Sequence, residues 1–162
     1  MPGHISRPPA VIPASTTDNA IARYNGTTGA LQNSAATVED TTGAIKAGNF
    51  SSTGFITIAD DAVHTLTISN YIGLDIQAYA LLASSVGGTS THGFFSFITQ
   101  TTNTPSALAS AMVSTDVDFA GVVLTGTTGA NDKLTISVVS GVMYLENRLG
   151  GSRVFKLVFF GG

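Results

Sequence analysis

Apolar and polar residues alternate along much of this chain with the two-residue period of a β-strand. His64, Leu66 and Ile68 fall on one phase, with Thr65, Thr67 and Ser69 on the other, which predicts a strand with one buried face. Leu74, Ile76, Ala78, Ala80 and Leu82 keep one phase against Asp75, Gln77 and Tyr79. Leu134, Ile136 and Val138 do the same against Lys133, Thr135 and Ser137, and Ser140-Gly141 then turns the chain into Val142–Leu149. Val117–Leu124 predicts a further strand. Phe94–Thr99 is aromatic on both phases, and Val154–Phe160 is apolar on both, as a central or interface strand is expected to be. Only Ser106–Met112 suits a helical turn. Some eight short strands with Gly, Ser and Thr connections predict an all-β head over residues 51–162, an antiparallel β-sandwich of jelly-roll-like build.

Upstream the pattern thins. Over residues 15–50, Ala20–Tyr24, Ala30–Gln32, Thr37–Glu39 and Ala44–Ala47 are short extended pieces, separated by turns at Asn25–Gly29 and Asp40–Gly43. Their large apolar residues are few: Ile21, Tyr24, Leu31, Val38 and Ile45. Strands so short and so sparsely filled cannot bury enough surface alone, so this stretch is expected to intertwine with the same pieces of neighbouring chains as a stalk. Residues 1–14 carry Pro2, Pro8, Pro9 and Pro13, which favour an extended path and interrupt any apolar signal-peptide core. This segment reads either as a disordered tail or as an arm that orders on a partner through Ile5, Val11 and Ile12.

Composition turns this pattern toward an oligomer. Charged residues are 10% of 162, against about a quarter in ordinary soluble domains. Thr and Ser fill the polar positions instead, and they suit a pleated surface. Mean hydropathy is positive, yet no apolar run reaches the roughly 18–20 residues of a spanning helix, so burial between chains is expected rather than membrane insertion. Net charge is −3 and the seven basic residues are scattered, which leaves no footprint for nucleic acid. Cysteine is absent, removing disulfides, thiolate catalysis and zinc–thiolate sites together. A chain stable outside the cell without disulfides needs other means, and interlocked subunits are one.

The string TTDNAIARYNGTTGALQNS, ending at Ser34, carries Asp18, Asn19, Ala20, Arg23, Asn25, Gly26, Thr27, Thr28, Gly29, Gln32 and Asn33. With the following VED and TTGAIKAG it resembles the neck segments of bacteriophage tail fibres and tailspikes. The C-terminal GVMYLENRLGGSRVFKLVFFGG, through Tyr144, Glu146, Asn147, Arg148 and Gly150, is similar to the closing strands of phage fibre heads. Together the two phrases cover about a third of the chain. The resemblance implies a homotrimer with an N-terminal arm docked on another virion protein, a thin stalk and a distal knob that adsorbs to a host surface glycan or protein. It places the protein in the virion. The chain has no room for the long β-helix of polysaccharide-degrading tailspikes. A head fibre or capsid decoration protein is the alternative, and a small glycan-active enzyme the third reading.

Three polar loops are candidates for the receptor-facing surface. Ser84–Thr91 offers Ser84, Ser85, Thr89, Ser90 and Thr91, and Thr99–Ser106 offers Thr101, Thr102 and Asn103. Thr125–Asp132 offers Thr127, Thr128 and Asn131, within the third copy of a Thr-Thr-Gly-Ala tetrad also found at Thr27 and Thr41. No helix start follows these tetrads, so they are not phosphate cradles. Tyr71 and Tyr79 are candidate sugar-stacking rings in a chain without Trp.

Catalytic signals are thin, and no cofactor is expected. Asp116 and Asp118 are spaced to share a strand face, which suits a solvated pair or a loose cation site better than glycoside hydrolysis. Asp60-Asp61 is expected to cap a turn. His4, His64 and His92 form no local metal motif, and no nucleophile elbow or nucleotide-binding glycine pattern occurs. The expectation is a protein that is not an enzyme. Arg23, Glu146, Arg148 and Arg153 read as structural, the last three pairing with one another or across a subunit contact.

Overall fold

A computed structural model describes residues 20–24, 31–38, 40, 44–48, 50–72, 77–84, 91–98 and 108–161. These are nearly all β. The strands are β1 (Ala20–Tyr24), β2 (Leu31–Val38), β3 (Ile45–Ala47), β4 (Phe50–Ser52), β5 (Ile56–Ile58), β6 (Ala62–Thr67) and β7 (Gln77–Ser84). They continue with β8 (His92–Ile98), β9 (Leu108–Val113), β10 (Val117–Ala120), β11 (Leu134–Val139), β12 (Val142–Asn147) and β13 (Arg153–Gly161). A single 3-10 turn, Ile68–Asn70, is the only helical element among the described residues.

The strands form two sheets. The larger runs β1-β2-β3-β4-β13-β7-β8-β9, with β5 also paired to β13, and the smaller runs β10-β11-β12-β6. All pairings are antiparallel except β10 with β11, which is parallel. The strand that is apolar on both phases, β13, lies inside the larger sheet with neighbours on both edges. Phe155, Leu157 and Phe159 point inward and are fully buried. Strands β4 and β5 share one edge of β13, spliced at Thr53. The Thr53 amide donates to the Leu157 carbonyl at 2.9 Å, and its hydroxyl accepts the Leu157 amide at 3.0 Å. The detour leaves Phe55 in solvent, with the Lys156 ammonium 5.5 Å from its ring centre.

One core joins the inward sides of both sheets. Ala78, Ala80, Leu82, Phe95 and Phe97 from the larger meet Leu66, Ile136, Val138, Met143 and Leu145 from the smaller. Phe95 and Phe119 bridge the sheets with ring centres 5.5 Å apart. The fit depends on size alternation. Ala80 stands directly between Phe159 on β13 and Phe95 on β8, and Ala78 faces Phe97. Opposite Ser140-Gly141, Val139 pairs with Val142, and both turn residues have positive φ, 51° and 74°, as the tightest hairpin turn requires.

Three expectations change. Ser106–Met112 does not supply a helical turn: Leu108–Val113 is β9, because the open edge of β8 offers backbone partners that a helix would leave unmet. The strand expected over Val117–Leu124 stops at Ala120, and the chain returns with the Val122 carbonyl accepting the Ser137 hydroxyl. The pieces at Ala30–Gln32 and Thr37–Glu39 merge into β2. Residues 1–14 and the turn at Asn25–Gly29 lie outside the described residues.

The register gives the molecule two ends. Phe50, Tyr79 and Phe160 are level at one, and Ile58, Ser84 and Arg153 mark the other. Thr37 pairs with Lys46, which pairs with Ser51, whereas Leu31 pairs with Tyr24 six residues further out. Thr37 is level with Phe159, so at about 3.3 Å per residue the β1–β2 hairpin projects roughly 16 Å beyond the Phe160 end. None of the β1–β3 residues whose burial is described belongs to the core.

Candidate functional site

At the end away from the hairpin, β7 stops at Ser84, β8 starts at His92, β11 starts at Leu134 and β12 stops at Asn147. The chain before Leu134 and after Asn147 therefore meets here, as do Asp60-Asp61 and the two ends of the Ser84–Thr91 loop. Thr125–Asp132 and the flanking residues Ser84 and Thr91 thus share one end. Ile98 and Leu108, which flank Thr99–Ser106, are at the hairpin end. Ser85, Thr89, Ser90, Thr101, Thr102 and Asn103 lie outside the described residues.

The shared end is organised by Glu146, Asn147 and Arg148. Glu146, fully buried at the end of β12, accepts the amide of Gly126 at 2.8 Å, that of Thr128 at 3.2 Å and that of Gly129. Three converging backbone donors around a carboxylate shape Thr125–Ala130 into a nest. Gly126 has φ +111°, and a Cβ there would stand 2.5 Å from the Asp61 carbonyl oxygen. The Asn147 amide nitrogen donates to the carbonyls of Ile58 at 2.9 Å, Ala59 at 3.1 Å and Gly151 at 2.8 Å. Arg148 donates through Nε to Asp61 at 3.0 Å and through Nη1 to the Gly129 carbonyl. Asp60 accepts the Gly150 amide at 3.0 Å. Three consecutive residues thus tie three loops together.

This corrects the expected pairing of Glu146 with Arg148. Glu146 is taken by backbone donors, and Arg148 lies past the end of β12, where strand alternation no longer aligns the two. Arg153 donates to the Leu149 carbonyl at 3.3 Å. Arg23 lies on β1, paired with Gln32. Asp60-Asp61 reaches beyond capping its own turn, since both carboxylates hold residues 148–150.

On this scaffold Thr127, Thr128 and Asn131 are exposed. The Thr128 hydroxyl accepts the Thr125 amide at 3.0 Å and lies 2.8 Å from the Thr125 hydroxyl. Ser84 is half-buried, and Thr91 is buried with its hydroxyl donating to Asp116. Asp116 lies in the turn before β10, so it does not share a strand face with the exposed Asp118. Partial burial pushes the Asp116 carboxyl up, but the Ser114 and Thr91 hydroxyls, its own backbone amide and the nearby His92 outweigh this, and the net shift is below the usual value. His64, half-buried on β6, is lowered by burial. No cluster of three metal-ligating side chains occurs among the described residues.

The two tyrosines separate. Tyr71 packs against core Phe159 at 5.2 Å. Tyr79 lies on the outward side of the larger sheet, stacked on Phe94 with centres 5.8 Å apart and planes 4° from parallel. No protein-family model matches the chain, and no curated protein matches it.

The nest went unread in the sequence. Its trace is Gly126 and Gly129 flanking two threonines, but which carboxylate they enclose depends on the β11–β12 hairpin.

Proposed function

We propose that this protein is a structural component of a bacteriophage virion: a short trimeric fibre, not an enzyme, that adsorbs to a host surface glycan or protein. The carrying observation is polarity of layout. A hairpin projects from one end, while Thr125–Ala130 and the strand ends at Ser84 and Thr91 come together at the other. In this reading β1–β3 belong to an intertwined trimeric stalk, and residues 1–14 dock on another virion protein. The same reading makes the two sheets the β-sandwich knob, of jelly-roll-like build. The bracing of Thr125–Ala130 by Glu146 supports a preorganised loop, which lowers the ordering cost of binding. Three such ends on one particle raise a weak single-site affinity by avidity.

The experiment is competition and location. Purified protein added to susceptible cells is expected to block phage adsorption, and labelled antibody is expected to mark the tail in particle images. Labelling of the capsid without competition moves the protein to a decoration role. Labelling of neither defeats the virion reading.

A further inference from the structure

The outward side of the larger sheet is apolar and uncovered. Strand register places Phe50, Phe160 and Tyr79 in one cross-strand row and Leu81, Phe94 and Met112 in the next. Phe50 meets Phe160 edge-on at 5.7 Å, and a shallow hollow of about 320 Å³ opens between Tyr79, Phe94 and Phe160. Met112 is 69% exposed and Leu81 44%. These six side chains leave roughly 500–600 Å² open, the upper limit for a monomer's largest apolar patch and approaching the about 800 Å² per partner of a stable interface.

Charge narrows the occupant. The two rows hold no Asp, Glu, Lys or Arg, and Lys156 and His92 border them in the next row, on either side of Ala83. A foreign partner is normally selected by charge and hydrogen-bond pattern, and these two rows offer little of either. Copies of the two rows meet with no like charges opposed. The exposed apolar positions also continue along the sheet. Ala47 pairs with Phe50, so Ile45, two residues before it and 38% exposed, falls on the same side of β3. One occupant covering sheet and hairpin side together must be as extended as this chain is. We infer that copies of the chain pack against one another through this face, so that subunits touch in the compact part as well as along the hairpin. The inference rests on the homo-oligomeric part of the proposed function, and on neither its receptor nor its virion location.

The chain has no cysteine, so single introduced thiols report without background. Met112→Cys probes the face, and Val122→Cys, at a position 51% exposed outside the larger sheet, is the control. In the native protein Met112→Cys is expected to react with a maleimide at least about tenfold more slowly than Val122→Cys, and equally fast once dissociated in denaturant. Leu81→Glu is expected to lower the native mass by light scattering from three times 16.5 kDa, with the far-ultraviolet circular dichroism unchanged. Equal native rates in a protein of trimeric mass would overturn the face while leaving the oligomer standing. A native mass of one chain, with the thiol open or shielded, would overturn both.

Discussion

The amide of Gly126 donates to Glu146 at 2.8 Å, in a conformation that leaves no room for a side chain against the Asp61 carbonyl. Loop and carboxylate are therefore one unit. Glu146→Gln keeps a single acceptor for three donors and is expected to cost about 2 kcal/mol, and Glu146→Ala about 3–5 kcal/mol. Gly126→Ala adds a steric clash and a strained φ, expected at about 2–4 kcal/mol. Urea midpoints at constant m-value measure all three, and unchanged midpoints would dissolve the nest as a structural device.

Asn147→Asp tests the neighbouring residue with almost no change of shape. Three carbonyl oxygens now served by one amide would face a group that has no N–H. A loss of about 3–5 kcal/mol is expected, larger than for Asn147→Ala, because the aspartate opposes the carbonyls while alanine merely abandons them. The reverse order in denaturant melts would mean that the amide does not hold these loops.

Ser51 and Thr135 behave oppositely. Each buries a hydroxyl without a hydrogen-bond partner. Ser51→Ala and Thr135→Val are therefore expected to be neutral or to stabilise by up to about 1 kcal/mol. Clear destabilisation in a thermal melt would reveal a partner for those oxygens.

Ala80, directly opposite both Phe159 and Phe95, has no volume to spare. Ala80→Leu is expected to cost about 1–3 kcal/mol through overpacking of the shared core. A melting temperature equal to that of the parent would show that the rings move apart freely.

Two groups give the pH dependence its sign. His64 is lowered in the folded state, so below about pH 6.5 the unfolded chain takes up the proton first and stability falls with pH. Asp116 is also lowered, and its contribution is present above the ordinary aspartate value and is lost as pH falls through the lower folded one. Melting temperature is expected to decline in two steps. His64→Gln should flatten the first, and Asp116→Asn the second. A profile that both substitutions leave unchanged would assign acid sensitivity elsewhere.

Much of the strand layout was legible because burial imposes a period of two. The alternation from His64 became β6 as far as Thr67, where Ile68 begins the 3-10 turn, and the two-phase apolar run at Val154–Phe160 became the centrally placed β13. The segment Ser106–Met112 misled because its small and polar residues suit a helix locally, whereas the edge of β8 decides its state. Thr125–Asp132 was legible as a loop. That it lies at the same end as Ser84 and Thr91 was not, since this follows from register, which no single segment contains. The partners of the Glu146, Asn147 and Arg148 side chains lie 17 to 89 residues away, apart from the short return to residues 149 and 151.

Every neighbour of β13 precedes it in the chain. A ribosome must therefore make β4, β5 and β7 long before the strand that lies between them. Until Arg153–Gly161 emerges, two sheet edges stay open in a nascent chain with few charges to keep it apart from others. Polysomes translating this message hold many such chains side by side. With copies assembling as proposed, that delay turns crowding during synthesis into an opportunity for assembly, and a stop codon placed before Arg153 is expected to give an aggregating product.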